Sequence, residues 1–509
     1  MLRLLSHLPN ILIVQADQFA APAASLYGGF AHTPRLEALA ESGAVFENAY
    51  CNFPLCAPSR LSMLTGQLAF TVGAYDNASE LPSAMPTFLH HLRSAGYHTS
   101  LSGKMHFIGA DQLHGFEERL TTDIYPADFA WLPDWETNAQ NWAPIRDTIE
   151  SAGVSPYNMQ FAYDEDVTFR AVRKIYEYAR QTADPFCLFV SLTHPHHPFL
   201  APQEYWDRYE VDEIPEPSVL RLPDAELDPH SQRTRRVLGL DAIDVTDDER
   251  RRARHAYAAA ISYFDDKLGA LLDALATGGL ADSTAVIVIS DHGEMLGERG
   301  LWAKDSFFEW AMRIPTLVSI PGTAGSEWVE RPVSLVDLFP TVLDIAGIPP
   351  TQLAEPAAGS SMLDAIGSTG VDGPDVCGEY AAEAAAAPVV MIRRGRYKYI
   401  HSDTDPPQLF DLEADPHERT NLATDPEHAS VAAELGEAVA DRWDLDAINA
   451  DVHLSQRRRS VVSDALLEGV PTPWDFEPRP DHSKLYVRGR LGGEAADLRV
   501  RITPRDPPR

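Results

Sequence analysis

The segment 56–66 (CAPSRLSMLTG) holds the first residues whose types and spacing could do chemistry. Pro58 favours a first helical turn and Gly66 favours a helix end, which predicts a helix with Cys56 just before its N-terminus. Free N–H groups and the helix dipole favour negative charge there, which activates a thiol, and Arg60 follows about one turn later. A buried structural cysteine explains the same pattern, so this segment alone leaves both readings open.

Two continuous apolar runs each end in possible metal ligands. Asp17 follows the run 10–15, and Asp291 and His292 follow the run 285–290. Such runs are typical of strands buried on both faces of a parallel sheet, whose carboxyl ends meet at one edge. Each residue alone is more often a helix cap or a satisfied polar group. Together they predict a site for a hard or borderline divalent cation, because carboxylate oxygens favour Ca²⁺, Mg²⁺ or Mn²⁺.

Basic side chains follow other predicted strands or lie in nearby loops. Lys104, His106, His196 and Lys304 join Arg60 in this group. A lysine in a loop is usually a solvated cation, but five basic groups beside one predicted metal site favour binding of a tetrahedral anion. A histidine among them can protonate a leaving alkoxide.

The elements that must position these residues alternate along the chain. Helices are predicted at 33–42, 86–96, 164–182 and 248–275, and buried strands at 10–15, 97–101, 186–192 and 285–290. This alternation predicts an α/β fold with a doubly wound, mostly parallel sheet flanked by helices. The segment 109–158 is predicted to be a long functional loop, and 204–247 a surface excursion.

The C-terminal part has a different pattern. A hairpin around Gly395, a strand at 408–412 and a helix at 427–446 predict a smaller antiparallel sheet with one covering helix. We predict a catalytic domain at 1–383, a small α+β subdomain at 384–455, and an extended tail at 456–509 that makes oligomer contacts near the active site.

Composition excludes several classes of protein. The 509 residues carry a formal charge of −33, which disfavours nonspecific binding to nucleic acid. Four cysteines without a C-x-x-C pair favour a reducing compartment, so a cytoplasmic location is expected. The sequence contains no run of about 18 uncharged apolar residues, so no membrane span is expected.

The sequence resembles the type I sulfatases, which have the alkaline-phosphatase-like fold. The resemblance rests on the segments 16–18, 56–66, 103–106, 195–199, 290–294 and 301–304, in that order. It covers at least residues 10–410. Within the family the chain is most similar to the choline sulfatase branch, and the segments typical of that branch are 103–107, 111–129, 295–302 and 474–488.

The resemblance implies a specific chemistry. A formylglycine-generating maturase would oxidise Cys56 to formylglycine, whose hydrated gem-diol is the nucleophile. One divalent metal ion, with Ca²⁺ expected before Mn²⁺ or Mg²⁺, would be held by Asp17, Cys56, Asp291 and His292. The resemblance also implies a small sulfate ester as substrate and a homodimer or homotetramer.

The resemblance also implies roles for the basic residues. Arg60 would position the gem-diol, and Lys104 and Lys304 would bind sulfate oxygens. His196 would be the general acid, and His106 would assist beside the nucleophile. Gln18 is a further possible contact.

The alcohol pocket is where the chain departs from the choline sulfatase pattern. Trp131 is placed to form a wall of a cation cage, and Glu383 or Glu379 could supply its charge. The branch has a His-Asn pair where this chain reads 142–146 (WAPIR), and its tail differs over 489–493. Arg146 would suit an alcohol bearing an anionic group.

Three alternatives to a choline-type alkyl sulfatase stay open. One is a sulfatase for another small ester, and a second is a phosphonate or phosphate monoester hydrolase. A non-catalytic binding protein of the same fold is the most distant of them, because it predicts loss of residues that are all present.

Overall fold

The computed structural model describes residues 8–135, 145–180, 184–241, 244–323, 325–471 and 473–479. The strands are β1 Asn10–Asp17, β2 Ala44–Phe46, β3 Ala49–Tyr50, β4 His98–Gly103, β5 Glu118–Arg119, β6 Gly153–Val154, β7 Phe186–Pro195, β8 Leu200–Ala201, β9 Thr284–Ser290, β10 Leu317–Ser319, β11 Glu327–Val329, β12 Val333–Ser334, β13 Val376–Tyr380, β14 Val389–Arg394, β15 Tyr397–Ser402 and β16 Asp405–Asp411. The α-helices are α1 Pro34–Ala40, α2 Cys56–Thr65, α3 Phe88–Ser94, α4 Arg146–Glu150, α5 Met159–Arg180, α6 Gln203–Trp206, α7 Pro229–Val237, α8 Asp247–Thr277, α9 Glu309–Met312, α10 Leu338–Ile345, α11 Ala429–Arg442 and α12 Leu445–Leu467.

The main sheet has eight strands in the order β11-β2-β10-β9-β1-β7-β4-β5. The central strands run parallel: β1 pairs with β7 and β9, and β4 pairs with β7 and β5. Strand β10 is antiparallel to β9 and β2. The predicted α/β fold with a mostly parallel sheet is therefore confirmed.

Helices cover both faces of this sheet. Alternate side chains of a strand point to opposite faces, so a strand that is apolar throughout needs cover on each side. Leu12 and Val14 of β1 pack into a core that includes residues of α5 and α8. Ile11 and Ile13 point the other way, into a core that includes residues of α2, α3 and α10. The continuous apolar run of β1 follows from burial on both sides.

The smaller sheet is antiparallel and has the order β13-β14-β15-β16. The predicted hairpin around Gly395 is confirmed by the pairing of β14 with β15. Leu435 and Val439 of α11 pack on this sheet with Tyr399 and Leu409. Strand β13 of this sheet lies within 1–383, the range predicted for the catalytic domain. The domain boundaries remain a prediction.

The longest helices that lie where the sequence analysis predicted a loop, an excursion or a tail are α7 and α12, and the short helices α4 and α6 also fall in such segments. In the supposed surface excursion, Asp228 caps α7 by accepting a hydrogen bond from Ser231 N at 3.0 Å. The helix is polar, so apolar periodicity did not reveal it. Helix α12 extends into the predicted tail, and apolar periodicity missed it because this helix is also polar. Across the helices in the described ranges, none is both long and apolar enough to cross a membrane.

Candidate active site

The site lies at the carboxyl edge of the main sheet, as the strand ends predicted. Strand β1 ends at Asp17, and β9 leads into Asp291 and His292. Strand β4 leads into Lys104 and β7 into His196. Because these four strands are neighbours, their ends bring side chains from distant parts of the chain into one place.

Helix α2 delivers Cys56 to this edge. Cys56 is the first residue of the helix and is 1% exposed, and every residue of α2 is buried. Ala57 N donates to Asn77 Oδ1 at 2.9 Å, which satisfies one free amide of the first turn. The hydroxyl of Ser59 donates to the backbone oxygen of Asp291 at 2.6 Å. The helix start is thereby tied directly to the end of β9.

Four side chains form a cluster that could hold a metal ion. Ligand atoms of Asp17, Cys56, Asp291 and His292 all lie within 4.8 Å of one another, and all four residues are buried. Cys56 Sγ lies 3.3 Å from His292 Nε2. His292 Nδ1 donates to Gly293 O at 2.9 Å, which leaves Nε2 facing the cluster.

The charges around the cluster fit a divalent cation. Arg60 and Lys104 both contact Oδ2 of Asp17, so Oδ1 of Asp17 remains turned toward Cys56 and His292. Two carboxylate oxygens and one imidazole nitrogen are a donor set that suits hard or borderline divalent ions. Burial opposes ionisation of Asp17, but Lys104, His196 and Arg60 outweigh it and hold the pKa of that carboxyl well below its usual range.

Arg60 is the structural link between the two acidic strand ends. Its side chain is fully buried and contacts Asp17 at 3.0 Å and Asp291 at 2.8 Å. Its Nη1 donates to the backbone oxygen of Lys104 at 2.8 Å and to Ser191 Oγ at 2.9 Å. A planar guanidinium with several fixed donors is suited to joining groups from separate strands.

Lys304 and His196 form a second basic group of the site. Lys304 Nζ donates to Gln18 Oε1 at 2.6 Å and lies 3.2 Å from His196 Nε2. His196 Nδ1 donates to the backbone oxygen of His197 at 2.6 Å, which leaves Nε2 as an acceptor. Burial, His197 and Lys304 hold the pKa of His196 well below its usual range.

An aromatic corner stands beside Lys104. Trp131 lies 4.4 Å from Tyr125 and 5.1 Å from His106, measured between ring centroids. The ammonium of Lys104 lies 4.2 Å from the centroid of Tyr125. Burial lowers the pKa of His106, whose ring nitrogens have no hydrogen-bond partner among the described residues. The corner is thus joined to the site through the contact of Tyr125 with Lys104.

Glu383 is a buried carboxylate on the side of Lys304. Neither of its carboxylate oxygens has a hydrogen-bond partner within the described part of the chain. Burial and the neighbouring Asp305 raise its pKa well above the usual range, while Lys304 lowers it in part. Tyr380 donates to Asp305 Oδ1 at 3.0 Å and to the backbone oxygen of Glu383 at 2.9 Å, which fixes this side of the site.

Two other residues considered for the alcohol pocket lie elsewhere. Glu379 accepts hydrogen bonds from Phe70 N at 2.7 Å and Trp443 Nε1 at 2.6 Å, so both of its carboxylate oxygens bind groups away from the cluster. Arg146 pairs with Glu150 on its own helix at 2.5 Å, and its contacts with described residues do not include the cluster. The segments 142–144 and 489–493 lie outside the described residues.

The sequence analysis missed several residues that contact the site. Asn77 has no strand-end or motif signal. Tyr125 lies in the segment 111–129 and Ser191 near the end of the predicted strand 186–192, but neither was singled out as a site residue. Backbone strain offers another signal, visible only in the structure: Gln18 and His106 have φ of 65° and 60°. Non-glycine residues in that region cluster at functional sites.

Comparison with known proteins agrees with this geometry. The family profile named "Sulfatase" matches residues 9–348, and the profile "Choline sulfatase enzyme C terminal" matches residues 450–501. A choline-sulfatase from Rhizobium meliloti (strain 1021) is 45% identical over 500 residues, covering 95% of this chain and 96% of that protein.

Solved structures show the same fold at lower identity. A phosphonate monoester hydrolase from Silicibacter pomeroyi has a TM-score of 0.69 and 24% identity, covering 88% of this chain and 97% of that chain. A phosphonate monoester hydrolase of Agrobacterium radiobacter has a TM-score of 0.67 and 24% identity, covering 93% and 100%. At that identity these two structures support the fold alone. The profile match and the 45% identical relative decide the family: the chain belongs to the sulfatases and is a sulfuric ester hydrolase.

Proposed function

We propose that this protein hydrolyses choline sulfate, or a closely similar small alkyl sulfate ester, to the alcohol and inorganic sulfate. The observation that carries the proposal is the 45% identity to a choline-sulfatase over nearly the whole of both chains. The match of residues 450–501 to the choline sulfatase C-terminal profile supports the same branch of the family.

We propose that Cys56 is oxidised to formylglycine by a maturase and that its hydrate supplies the attacking hydroxyl. The position supports this, because Cys56 Sγ lies within 4 Å of both Asp17 and His292 in a buried cluster. Arg60 fixes the two carboxylates around this position. His106 lies next to Cys56 and has ring nitrogens free to contact a hydroxyl there.

Asp17, Asp291, His292 and the modified residue 56 would hold one divalent ion, for which we favour Ca²⁺ over Mn²⁺ or Mg²⁺. Such an ion polarises sulfate oxygens and lowers the pKa of a bound hydroxyl. Elemental analysis of the purified protein identifies the ion.

Lys104 and Lys304 would both bind the sulfate group. Burial opposes their charge, but Asp17 and Cys56 raise the pKa of both lysines. Fixed cations in a buried site stabilise charge that spreads over sulfate oxygens in the transition state. His196 would protonate the leaving alkoxide, with Lys304 at 3.2 Å as a source of the proton.

The alcohol would lie between the aromatic corner and Glu383. A quaternary ammonium donates no hydrogen bond, so ring faces and a carboxylate must hold it. Trp131 and Tyr125 supply the rings, and a bound cation would favour the ionised form of Glu383, whose two oxygens have no described partner. Arg146 is left out of this pocket because it pairs with Glu150.

The experiment compares kcat/KM of one preparation for choline sulfate, 4-nitrophenyl sulfate and phenyl phosphonate. Choline sulfate should rank first, and a rank below both other compounds would reject the assignment. A preference for phenyl phosphonate would instead support the phosphonate hydrolase alternative.

The proposed nucleophile has its own test. Mass spectrometry of the Cys56 peptide, from protein produced with a maturase, should show the mass of formylglycine. A Cys56→Ser variant should fold with an unchanged unfolding temperature and lose at least about 1,000-fold in kcat, because its hydroxyl cannot form the hydrate. Full activity of the serine variant would refute this role.

We also propose that the protein forms a homodimer or homotetramer in the cytoplasm. Exposed apolar side chains on α12 support an interface: Val461 is 70% and Leu467 is 71% exposed. The four cysteines are all unpaired and buried, which suits a reducing compartment.

A further inference from the structure

The carboxylate of Asp123 is a junction for the loops around the site. Its Oδ2 accepts hydrogen bonds from Met105 N at 2.8 Å, from His106 N at 2.9 Å and from Arg119 Nη2 at 3.1 Å. Its Oδ1 accepts from Tyr125 N at 3.3 Å. The side chain is only 7% exposed, so these contacts form in a dry environment. All four partners are donors, which matches a carboxylate and does not match an amide.

Asp123 fixes the backbone that presents the catalytic side chains. His106 has φ of 60°, a conformation that is costly for a residue with a Cβ. The two N–H groups that turn toward Asp123 are those of Met105 and His106, immediately after Lys104. The hydrogen bonds to Asp123 therefore hold the turn that separates the Lys104 ammonium from the His106 ring.

The same carboxylate also holds the aromatic corner. Tyr125 begins the segment that leads to Trp131, and its backbone N–H is bound by Asp123. Tyr125 in turn contacts Lys104, His106 and Trp131 through its ring. One side chain thus joins the groups that act on sulfate to the groups that would contact the alcohol.

The C-terminal segment 473–479 packs against the loop that carries this corner. Asp475 Oδ1 accepts a hydrogen bond from Ala127 N at 3.0 Å, and Trp474 packs edge-on against Phe129 at 5.5 Å. Phe476 lies 5.6 Å from the guanidinium carbon of Arg119, the partner of Asp123. The contacts of Trp474 and Asp475 fall on the stretch between Tyr125 and Trp131, whereas the contact of Phe476 falls on Arg119.

We propose that Asp123 is a positioning residue for the sulfatase reaction, and that Trp474 and Asp475 are positioning residues for alcohol binding. Asp123 accepts hydrogen bonds from the Lys104–His106 turn at 2.8 and 2.9 Å and from Tyr125 N at 3.3 Å, so its main effect falls on the chemical step. Trp474 and Asp475 contact the stretch that leads to the aromatic corner, so they control affinity for the alcohol. The assignment rests on the proposed function through its use of the alcohol pocket.

The test compares kcat and KM for three substitutions of similar size. Asp123→Asn places an amide among four donors and should lower kcat about tenfold, with KM changed less than about threefold. Asp475→Asn removes a charge-assisted hydrogen bond and should raise KM about three- to tenfold, with kcat within about twofold. Asp128→Asn is the matched control: among the described residues, the side chain of this exposed aspartate of the same loop accepts a hydrogen bond from Ala130 N alone, at 2.9 Å, and both constants should stay within about twofold.

The opposite kinetic signatures of the first two variants separate positioning from general loss of stability. The proposal is overturned if Asp123→Asn leaves kcat within twofold of the wild type, or if all variants lose kcat in proportion to their unfolding temperature. Should Asp123→Asn fail to fold, Arg119→Lys weakens the same junction and should lower kcat about threefold; an unchanged kcat then overturns the proposal. The variants are compared on whichever ester the wild type turns over best, so a wrong choice of alcohol shows only in the wild-type substrate ranking.

Discussion

At the scale of single residues, the basic groups of the site are already held by partners before a substrate binds. Arg60 contacts two carboxylates, Lys104 contacts Asp17, and Lys304 contacts Gln18 and His196. Donors fixed in this way do not have to reorganise when charge develops on a substrate. Two further side chains of the site, His196 and Glu383, each lead to a prediction.

Replacement of His196 by alanine should affect poor leaving groups most. An alkoxide such as choline needs a proton as it leaves, whereas 4-nitrophenolate does not, so general-acid catalysis matters for only one of them. We expect kcat for choline sulfate to fall about 100-fold or more, and kcat for 4-nitrophenyl sulfate less than about tenfold. His401→Ala, a half-buried histidine of the small sheet, is the control. Equal losses on both esters would argue against a role as acid.

Replacement of Glu383 by glutamine should reduce selectivity for a cationic alcohol. We compare choline sulfate with its uncharged analogue 3,3-dimethylbutyl sulfate, which has the same shape. The glutamine variant should raise KM for choline sulfate about tenfold and leave KM for the analogue within about twofold, because only the cation loses a charge partner. The same rise in KM for both esters would mean that Glu383 affects the shape of the pocket and does not discriminate between charged and uncharged alcohols.

At the scale of elements, Glu379 joins three parts of the chain. It lies on β13 and binds Phe70 N, from the loop after α2, and Trp443 Nε1, between α11 and α12. The carboxylate thus connects the small sheet with the loop that follows the helix carrying Cys56. Burial raises the pKa of Glu379 to about 7, although the two N–H donors partly offset that effect.

This pKa predicts a pH-dependent stability. Between about pH 4.5 and 7 the unfolded chain has lost the Glu379 proton while the folded chain keeps it, so the free energy of unfolding falls as pH rises through that window. The contribution is about 3 kcal/mol. Unfolding temperatures of the wild type and Glu379→Gln at pH 5 and pH 8 should show the wild type losing more stability, because the glutamine cannot titrate. Asp265 and Asp337 titrate in both proteins and cancel in the difference.

At the scale of the whole molecule, the sequence was most informative where one strand carries both a core pattern and a ligand. Strands β1 and β9 are continuous apolar runs, so their ends, and with them Asp17 and Asp291, could be placed at one sheet edge. Tyr125 and Asp123 lie in a long stretch without periodicity, and their roles depend on contacts with other loops. Helices α7 and α12 are too polar for a strong apolar stripe, so their existence depends on caps and tertiary packing.

The proposed oligomer gives a prediction at the same scale. Val461→Asp places a charge on the exposed apolar side of α12 and should shift the molecular mass in light scattering toward the monomer, because a buried unpaired charge opposes association. Val211→Asp, which changes a 53% exposed valine elsewhere on the surface, is the control. A wild type that is itself monomeric, or a variant with the wild-type mass, would remove α12 from the proposed interface.

The central position of β1 has a consequence for biosynthesis. The hydrogen bond from Gln18 N to Asp291 joins residues separated by 273 positions, and β1 is complete only when β9 lies beside it. At about 5–20 residues per second a ribosome needs roughly 14 to 55 s to add that length of chain. During this time one of the most apolar strands of the protein has an unpaired edge, a condition that invites aggregation. Yield in recombinant expression should therefore depend on chaperones that shelter the nascent N-terminal strand until residue 290 has emerged.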